Sequence, residues 1–387
     1  MTTMQKFKFR FLLLIILISS ILFVGCWNYR EMDQLAIVAG AAIDKDEYGD
    51  ISMLVEIVEF SNEKDSKISH KTISIKGATI FDTARNAISV SGKRLYWAHA
   101  KVIVISDQVA REGTIKIIDW INRDSETRSN INILIAKGNL AKEILQSGGN
   151  KSNIKSFEIA RILKNQVSLS KAPRVESWEL VNSIIGKGIS AVAPTVQLKT
   201  INGEKSPSVM GTAIFSKDKL VGFLDDKETK DMLFIQDKVK GGVLVSRESE
   251  NNKDIPVSLE IFDNKTKIKP ILEDGNIRFN VNVNVNTAID EIGGSADFIG
   301  ENGSSKLEQS YERTMEIRIK KLITKIQKEY GVDIFGFGAR LKEDKPKIWR
   351  AVEKNWQESF RTIHADVKVN VYIRNSGILS KPLEEGD

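Results

Sequence analysis

The residues of this chain that could do chemistry are few. There are three histidines, His70, His99 and His364, and a single cysteine, Cys26, in 387 residues. No two histidines stand at metal-ligand spacing and no His-Glu-x-x-His occurs, so no zinc motif is present. No Gly-x-Ser-x-Gly elbow presents a serine nucleophile. Gly186-Lys187-Gly188 has glycines of a phosphate loop without its four-residue lead or the hydroxyl after the lysine, and Gly336-Phe337-Gly338 lacks the third glycine of a dinucleotide fingerprint. Asp44, Asp46 and Gly49 stand at positions one, three and six of a calcium loop, but position twelve is Val55, which cannot supply the bidentate carboxylate. Each of these is expected to be a turn. The sequence therefore predicts no catalytic residue, no metal and no cofactor, and a chain that is not an enzyme.

The thiol is different because of where it stands. Met1 to Arg10 carries Lys6, Lys8 and Arg10 and no acid, and Phe11 to Val24 is free of charge. A basic start, a short apolar run and a small residue before a cut make a secretory leader over residues 1–25. The run of about 14 residues falls short of the ~20 a spanning helix needs. It ends in Phe23-Val24-Gly25-Cys26, which is similar to a lipobox, with Phe23 where leucine is usual. Cys26 is thus the expected lipidation site, carrying diacylglycerol and acyl lipid and becoming the first residue of the mature chain. Each buried methylene contributes ~0.8 kcal/mol, so two or three chains make residence on a membrane effectively permanent. With that thiol acylated no disulfide can form, and the body must be held by its core alone.

Losing residues 1–25 takes the formal net charge from +6 to +3, because the leader holds three basic residues and no acid. The remaining charge is interspersed, which argues against a nucleic-acid binder. A hydrophobic content of 41% is enough for substantial cores. Leu35–Ile43 and Ile51–Phe60 flank a polar turn and read as a hairpin. A third strand runs through Ile73 and Ile75, and Thr79 caps a helix whose face is Ile80, Ala84, Ala87 and Ile88. Strands follow at 95–97 and 101–105, then a helix capped by Ser106 with Val109, Ala110, Ile117, Ile118 and Ile121 on its face, then a strand at 130–136. Residues 139–186 read as mostly helical, 191–199 as a strand, and 200–208 as a linker. Past it come strands at 209–216 and 219–223, and a helix opened by the Asp225/Glu228 capping box. Residues 277–290 alternate apolar with polar as a half-buried strand. A long helix over 306–330 carries Tyr311, Met315, Ile319, Leu322, Ile326 and Tyr330 on one stripe. A helix with Trp349, Val352, Trp356 and Phe360 and a last strand at 367–373 complete an α+β fold. It is expected to be multi-domain, with mixed and antiparallel sheets and helices packed on them. The expected division is 26–203, a region that could hold two subdomains, and 204–387.

Two stretches stand out: Trp97 and His99 before a strand, and the charged loop with Arg123, Asp124, Glu126 and Arg128; the plain reading is a packed aromatic and locally paired ions, and the functional reading is a contact surface for a partner protein. Trp27, Arg30 and Glu31, beside the anchor, join them as candidates.

The motifs GCWNYREMDQLAIVAGAAIDKD (25–46), AHAKVIVI (98–105), INRDSETR (121–128), GTAIFSKDKLVGFLDDKETKDMLFI (211–235) and DIFGFGARLKEDKPKIWRAVEKNW (333–356) occur in an order that resembles the C-subunit lipoproteins of bacterial spore germinant receptors, the Ger(x)C family. Asn28 and Phe223 depart from an Asp and a Trp common at those places. The resemblance implies a non-enzymatic subunit required for nutrient-triggered germination. It implies integral-membrane partners, a transporter-like B-type and an A-type subunit, and a place on the outer face of the inner spore membrane, held by the lipid on Cys26. The alternatives are a substrate-binding lipoprotein that captures the nutrient itself, which needs a cleft with convergent polar groups, and a hydrolase of the spore wall, against which the missing catalytic motifs argue.

Overall fold

The computed structural model describes residues 3–22, 34–60, 68–148, 153–250, 253–293, 298 and 301–375. The basic start and the apolar run form helix α1 (Thr3–Leu22). No described helix is long and apolar enough to cross a membrane. Cys26, Trp27, Arg30 and Glu31 lie outside the described residues.

β1 (Leu35–Lys45) and β2 (Ile51–Phe60) form the expected hairpin, with Lys45 opposite Ile51, and β3 (Ile68–Gly77) adds antiparallel to β2. Thr79 caps α2 (Ile80–Ser91) by accepting the Asp82 N–H. Its buried face is Ile80, Thr83 and Ala87, so Ile88 points outward, contrary to the sequence reading. β4 (Arg94–Tyr96) and β5 (Val102–Ser106) lie parallel to β1. Ser106 caps a helix as expected, but that helix is two, α3 (Asp107–Glu112) and α4 (Ile115–Arg123). The chain turns between them at Gly113, φ 138°, where a Cβ would meet Asp218 Oδ2 at 2.6 Å. β6 (Asn132–Ala136) continues the parallel order. Helices α5 (Ala141–Leu145), α6 (Lys155–Lys164) and α7 (Ser177–Ile185) then lead to β7 (Val192–Ile201), β8 (Glu204–Ser216) and β9 (Lys219–Leu224).

These strands make one nine-stranded sheet in the order β3-β2-β1-β5-β6-β7-β8-β9, with β4 also on β1. Its centre is parallel and its flanks antiparallel. Ile103 and Ile105 of β5 face a core shared with α2, α3, α4 and α7, while Val102 and Val104 face α5 and α6. Covering on both faces explains why these strands are unbroken apolar runs. Residues 200–208 are not a linker. Ile201 opposes Glu204 across Asn202 and Gly203, both at positive φ, the backbone that an Asn-Gly hairpin turn requires. Pro207, which suggested a break, sits inside β8 opposite Leu198. The boundary expected at 203/204 therefore falls within a continuous hairpin.

The capping box of Asp225 and Glu228 opens α8 (Asp226–Ile235) as expected. β10 (Gly242–Glu250), β11 (Lys253–Glu273) and β12 (Asn276–Ile292) form an antiparallel run, of which β10 and the full length of β11 were not foreseen. The long helix α9 (Glu301–Lys325) ends in a π-turn at Ile326–Tyr330. The last expected helix is broken into α11 (Pro346–Val352) and α12 (Trp356–Thr362), after α10 (Phe337–Asp344). β13 (His364–Asn375) returns parallel to β12 and completes a four-stranded sheet. Phe279, Val281, Val283 and Val285 of β12 pack with Tyr311, Met315, Ile319, Leu322 and Ile326, the predicted stripe.

Buried and half-buried carboxylates fix how the layers dock. Glu56, fully buried in β2, accepts the N–H groups of Lys155 and Ser156 at 2.8 Å, so it holds the N-terminus of α6. Asp44 does the same for α5 through Ala141 and Lys142, at 2.8 and 2.9 Å. On α9, Glu308, Glu312 and Glu316 accept the N–H groups of Ile373, Val371 and Val369 at 2.7, 3.0 and 3.0 Å. Four helical residues rise about 6 Å and two strand residues about 6.6 Å, so the ladder matches the spacing of the β13 edge and covers it. Asp333 lies between the sheets. Its Oδ1 accepts from Phe335, Gly336 and Phe337 N–H, and its Oδ2 from Gly338 N–H and Trp356 Nε1, at 2.8–3.2 Å. Its carbonyl accepts the Ser190 N–H at 2.6 Å. Burial pushes the Asp333 carboxyl up to about 6, against donors that favour its charged form.

Asp333→Ala leaves five buried donors without an acceptor and should cost about 3 kcal/mol or more, read as a lowered denaturation midpoint. Because the folded-state value exceeds the unfolded one, the Asp333 contribution to stability is full below about pH 4 and is lost as pH rises through about 6. Asp333→Asn should flatten that part of the stability–pH curve. Replacing Glu308, Glu312 and Glu316 together by alanine should cost about 3 kcal/mol and expose the β13 edge, giving concentration-dependent association by light scattering.

Candidate interaction surface

The chain after β4 and the chain after α4 meet at one corner of the large sheet. Trp97 opens a 3-10 turn (Trp97–His99) and packs edge-to-face on Trp120 of α4, with ring centroids 4.9 Å apart. It is only 2% exposed, so it supports the surface from beneath and is not itself a partner contact. The apolar surroundings that make a tryptophan conspicuous in sequence also bury it. His99 is exposed, its ring 5.8 Å from that of Tyr96. Arg123, exposed at the end of α4, pairs with Asp119 at 2.7 Å. Asp124 follows it and accepts the Glu126 N–H at 2.9 Å, while Arg94 reaches Glu126 at 2.8 Å and ties the loop to β4. Arg128 is exposed beyond this joint. The expected mixture of local ion pairs is therefore present, and it shapes the loop.

Arg123 and Asp124 also line a cleft of 710 Å³. Its walls are the turn after β1, the start of α2 and the α3–α4 corner, with Ile51, Phe81 and Ile115 giving apolar surface and Lys45 and Glu112 paired across the rim. Phe81 is 52% exposed, a large apolar side chain left uncovered here. The volume is that of a small-molecule site or of one partner side chain. The acids of the calcium-like turn are otherwise engaged. Asp44 is buried as the cap of α5, its carboxyl pushed up by burial against the backbone donors. Asp46 accepts from Tyr48 and Asp50 N–H and from Lys76 Nζ, and the Lys76 hydrogen bond holds its pKa down. Among the described residues no cluster could hold a metal ion. The phosphate-loop and dinucleotide look-alikes join each other, since Ala339 N–H donates to Gly188 O at 2.8 Å. Lys187 pairs with Glu353 at 3.5 Å across a polar groove of 500 Å³.

Sequence reasoning missed the carboxylates that dock the layers. Glu56 sits in the apolar run Met53-Leu54-Val55-Glu56-Ile57-Val58, and a lone charge in such a run is the signal of a buried acceptor. Glu308, Glu312 and Glu316 repeat at four, and Asp333 precedes a glycine-rich turn able to aim several N–H groups at one carboxylate. Asp231 gave no signal. It is buried in α8 and bidentate with Arg318 at 2.6 and 3.1 Å, and burial raises its carboxyl to about 6 in spite of the guanidinium.

Comparison with known proteins accords with this architecture. Residues 28–198 match the family described as spore germination protein N-terminal domain, and residues 210–377 match that described as spore germination B3/GerAC like, C-terminal. Spore germination protein B3 of Bacillus subtilis (strain 168) is 25% identical over 98% of this chain and 100% of its own length. Spore germination protein KC of the same organism is 23% identical over 96% and 97%. Spore germination protein GerQC of Bacillus cereus is 21% identical over 94% and 98%. The crystal structure of the GerBC protein superposes with a TM-score of 0.59, covering 87% of this chain and 97% of that one at 23% identity, which shows a shared α+β fold. No enzyme family is indicated. With both regions matched in order along nearly the whole chain, this protein is a member of the spore germination family of GerAC type.

Proposed function

We propose that the chain is a non-enzymatic, lipid-anchored subunit of a nutrient germinant receptor, required for nutrient-triggered germination. The observation that carries this reading is the end-to-end likeness to spore germination proteins, joined to a lone thiol placed directly after a basic and apolar leader. Lipid on Cys26 moors the body to the outer face of the inner spore membrane. Integral-membrane receptor subunits of A and B type are its partners. Confinement to the membrane raises the body's effective concentration near them without any new contact. The corner formed by His99, Arg123, Asp124 and Arg128, with Trp97 beneath it, serves as a docking surface, and Trp27, Arg30 and Glu31, next to the anchor in sequence, are further contacts.

The 710 Å³ cleft favours a second reading, in which this chain captures a nutrient directly. Calorimetry of the purified chain with amino acids and sugars separates the two: heats of tight binding, lost on Phe81→Glu, support capture, and silence supports the assembly role. For the anchor, Cys26→Ala should leave a folded body, release most of it from the membrane fraction and impair germination. A variant found on the membrane at normal level would show that contacts other than the lipid hold it there.

A further inference from the structure

The four-stranded sheet buries one face and leaves the other bare. On the bare face stand Lys265, Lys267 and Lys269 of β11, Asn280, Asn282 and Asn284 of β12, and Lys368 and Asn370 of β13. The register sets them in rows: Lys269–Asn280–Asp366, Lys267–Asn282–Lys368 and Lys265–Asn284–Asn370. The four lysines are exposed, and none forms an ion pair among the described residues. Two acids stand beside them, and neither pairs with a lysine among the described residues. Asp263 accepts from Asn286 Nδ2 at 2.9 Å, and Asp366 contacts His364 Nε2 at 3.0 Å. Asparagine amides stiffen the ground between the lysines: Asn370 Nδ2 donates to Asn284 Oδ1 at 2.9 Å, and Arg374 Nε to Asn286 Oδ1 at 3.0 Å. Successive lysines on β11 are about 6.6 Å apart, and Lys368 lies two strands, about 9.6 Å, from Lys267. Tyr372 is exposed at the border, under the Arg374 guanidinium 4.9 Å from its ring centroid.

We infer that this face is a membrane-apposing surface whose partner is the anionic headgroup layer of a phospholipid bilayer. Charge complementarity selects an anionic partner. The regular lattice of the rows suits a laterally repeating layer of point charges better than a single shaped ligand. Lysine presents a compact, hydrated cation that meets phosphate without needing a bidentate geometry. Unpaired lysines near an anionic surface each strengthen attraction, within reach of a Debye length. The border tyrosine is the residue type that favours a headgroup boundary. The attraction does not depend on the state of Cys26, so its failure and that of the lipid anchor are separable.

The test uses the full chain carrying Cys26→Ser, with Asn282→Cys as the single thiol for an environment-sensitive fluorophore. Asn282 is exposed between Lys267 and Lys368, so a probe there reports contact of this face directly. Vesicles of phosphatidylglycerol mixed with phosphatidylcholine should brighten and blue-shift the probe, and vesicles of phosphatidylcholine alone should not, whatever the leader helix does in either. Lys265→Glu, Lys267→Glu, Lys269→Glu and Lys368→Glu together should weaken the phosphatidylglycerol-dependent response at least tenfold, and the corresponding glutamines should weaken it less. Thermal melting of each variant confirms folding, and the glutamine set stands in if the glutamates do not fold. Equal responses in both vesicle types, or unchanged responses in folded variants, would overturn the inference and leave the lysines an ordinary solvated face. A silent probe with lipid together with lysine-dependent capture of an acidic protein would also overturn it.

Discussion

The carboxylate of Asp333 is the point on which the arrangement of the two sheets turns. Five N–H groups converge on its two oxygens, four from the 335–338 backbone and one from the Trp356 indole, while its carbonyl receives Ser190 from the segment leading into β7. One residue thus ties the start of α10, the start of α12 and the large sheet. Gly338 sits so close to Trp356 and Gly188 that a Cβ there would overlap both. Ionisable groups are rarely kept fully buried, because leaving water is costly unless the charge is met by donors. Here the donors are supplied locally, by a turn whose amides point inward.

The same device recurs at smaller scale. Glu56 and Asp44 each hold the first turn of a helix, and three glutamates of α9 stand in for a missing strand along β13. A helix N-terminus carries unpaired donors and partial positive charge, so a buried carboxylate both satisfies and orients it. Each carboxylate sets the position of a layer that apolar packing alone would leave free to slide.

The local signals were easily read. Alternation in β12, the stripe of α9, the caps Thr79, Ser106 and Asp225, and the first hairpin follow from neighbouring residues and appear where the sequence places them. What was not legible depends on residues far apart. Nothing near Glu56 names Lys155 as its partner, and nothing in β1 says that β5, and not β3, will be its parallel neighbour. Residues 200–208 read as a linker because proline and glycine fall in one polar segment, although Asn202-Gly203 is equally a hairpin turn and a proline on a flanking strand is compatible with it. At the candidate surface, the ion pairs of the 122–128 loop were expected in kind, but the burial of Trp97 came from Trp120 across a second element. The expectation of a lipid on Cys26 rests on the sequence alone.

Glu56 meets Lys155 and Ser156, and Asp44 meets Ala141 and Lys142, across 97 to 100 residues of chain. A chain made amino end first would therefore present its opening hairpin long before the segments that complete it. During that interval two acids stay hydrated and an apolar ribbon stays uncovered. Closing so large a loop slows the search for the native state, which makes this stretch the one most in need of an escort while the protein is being born.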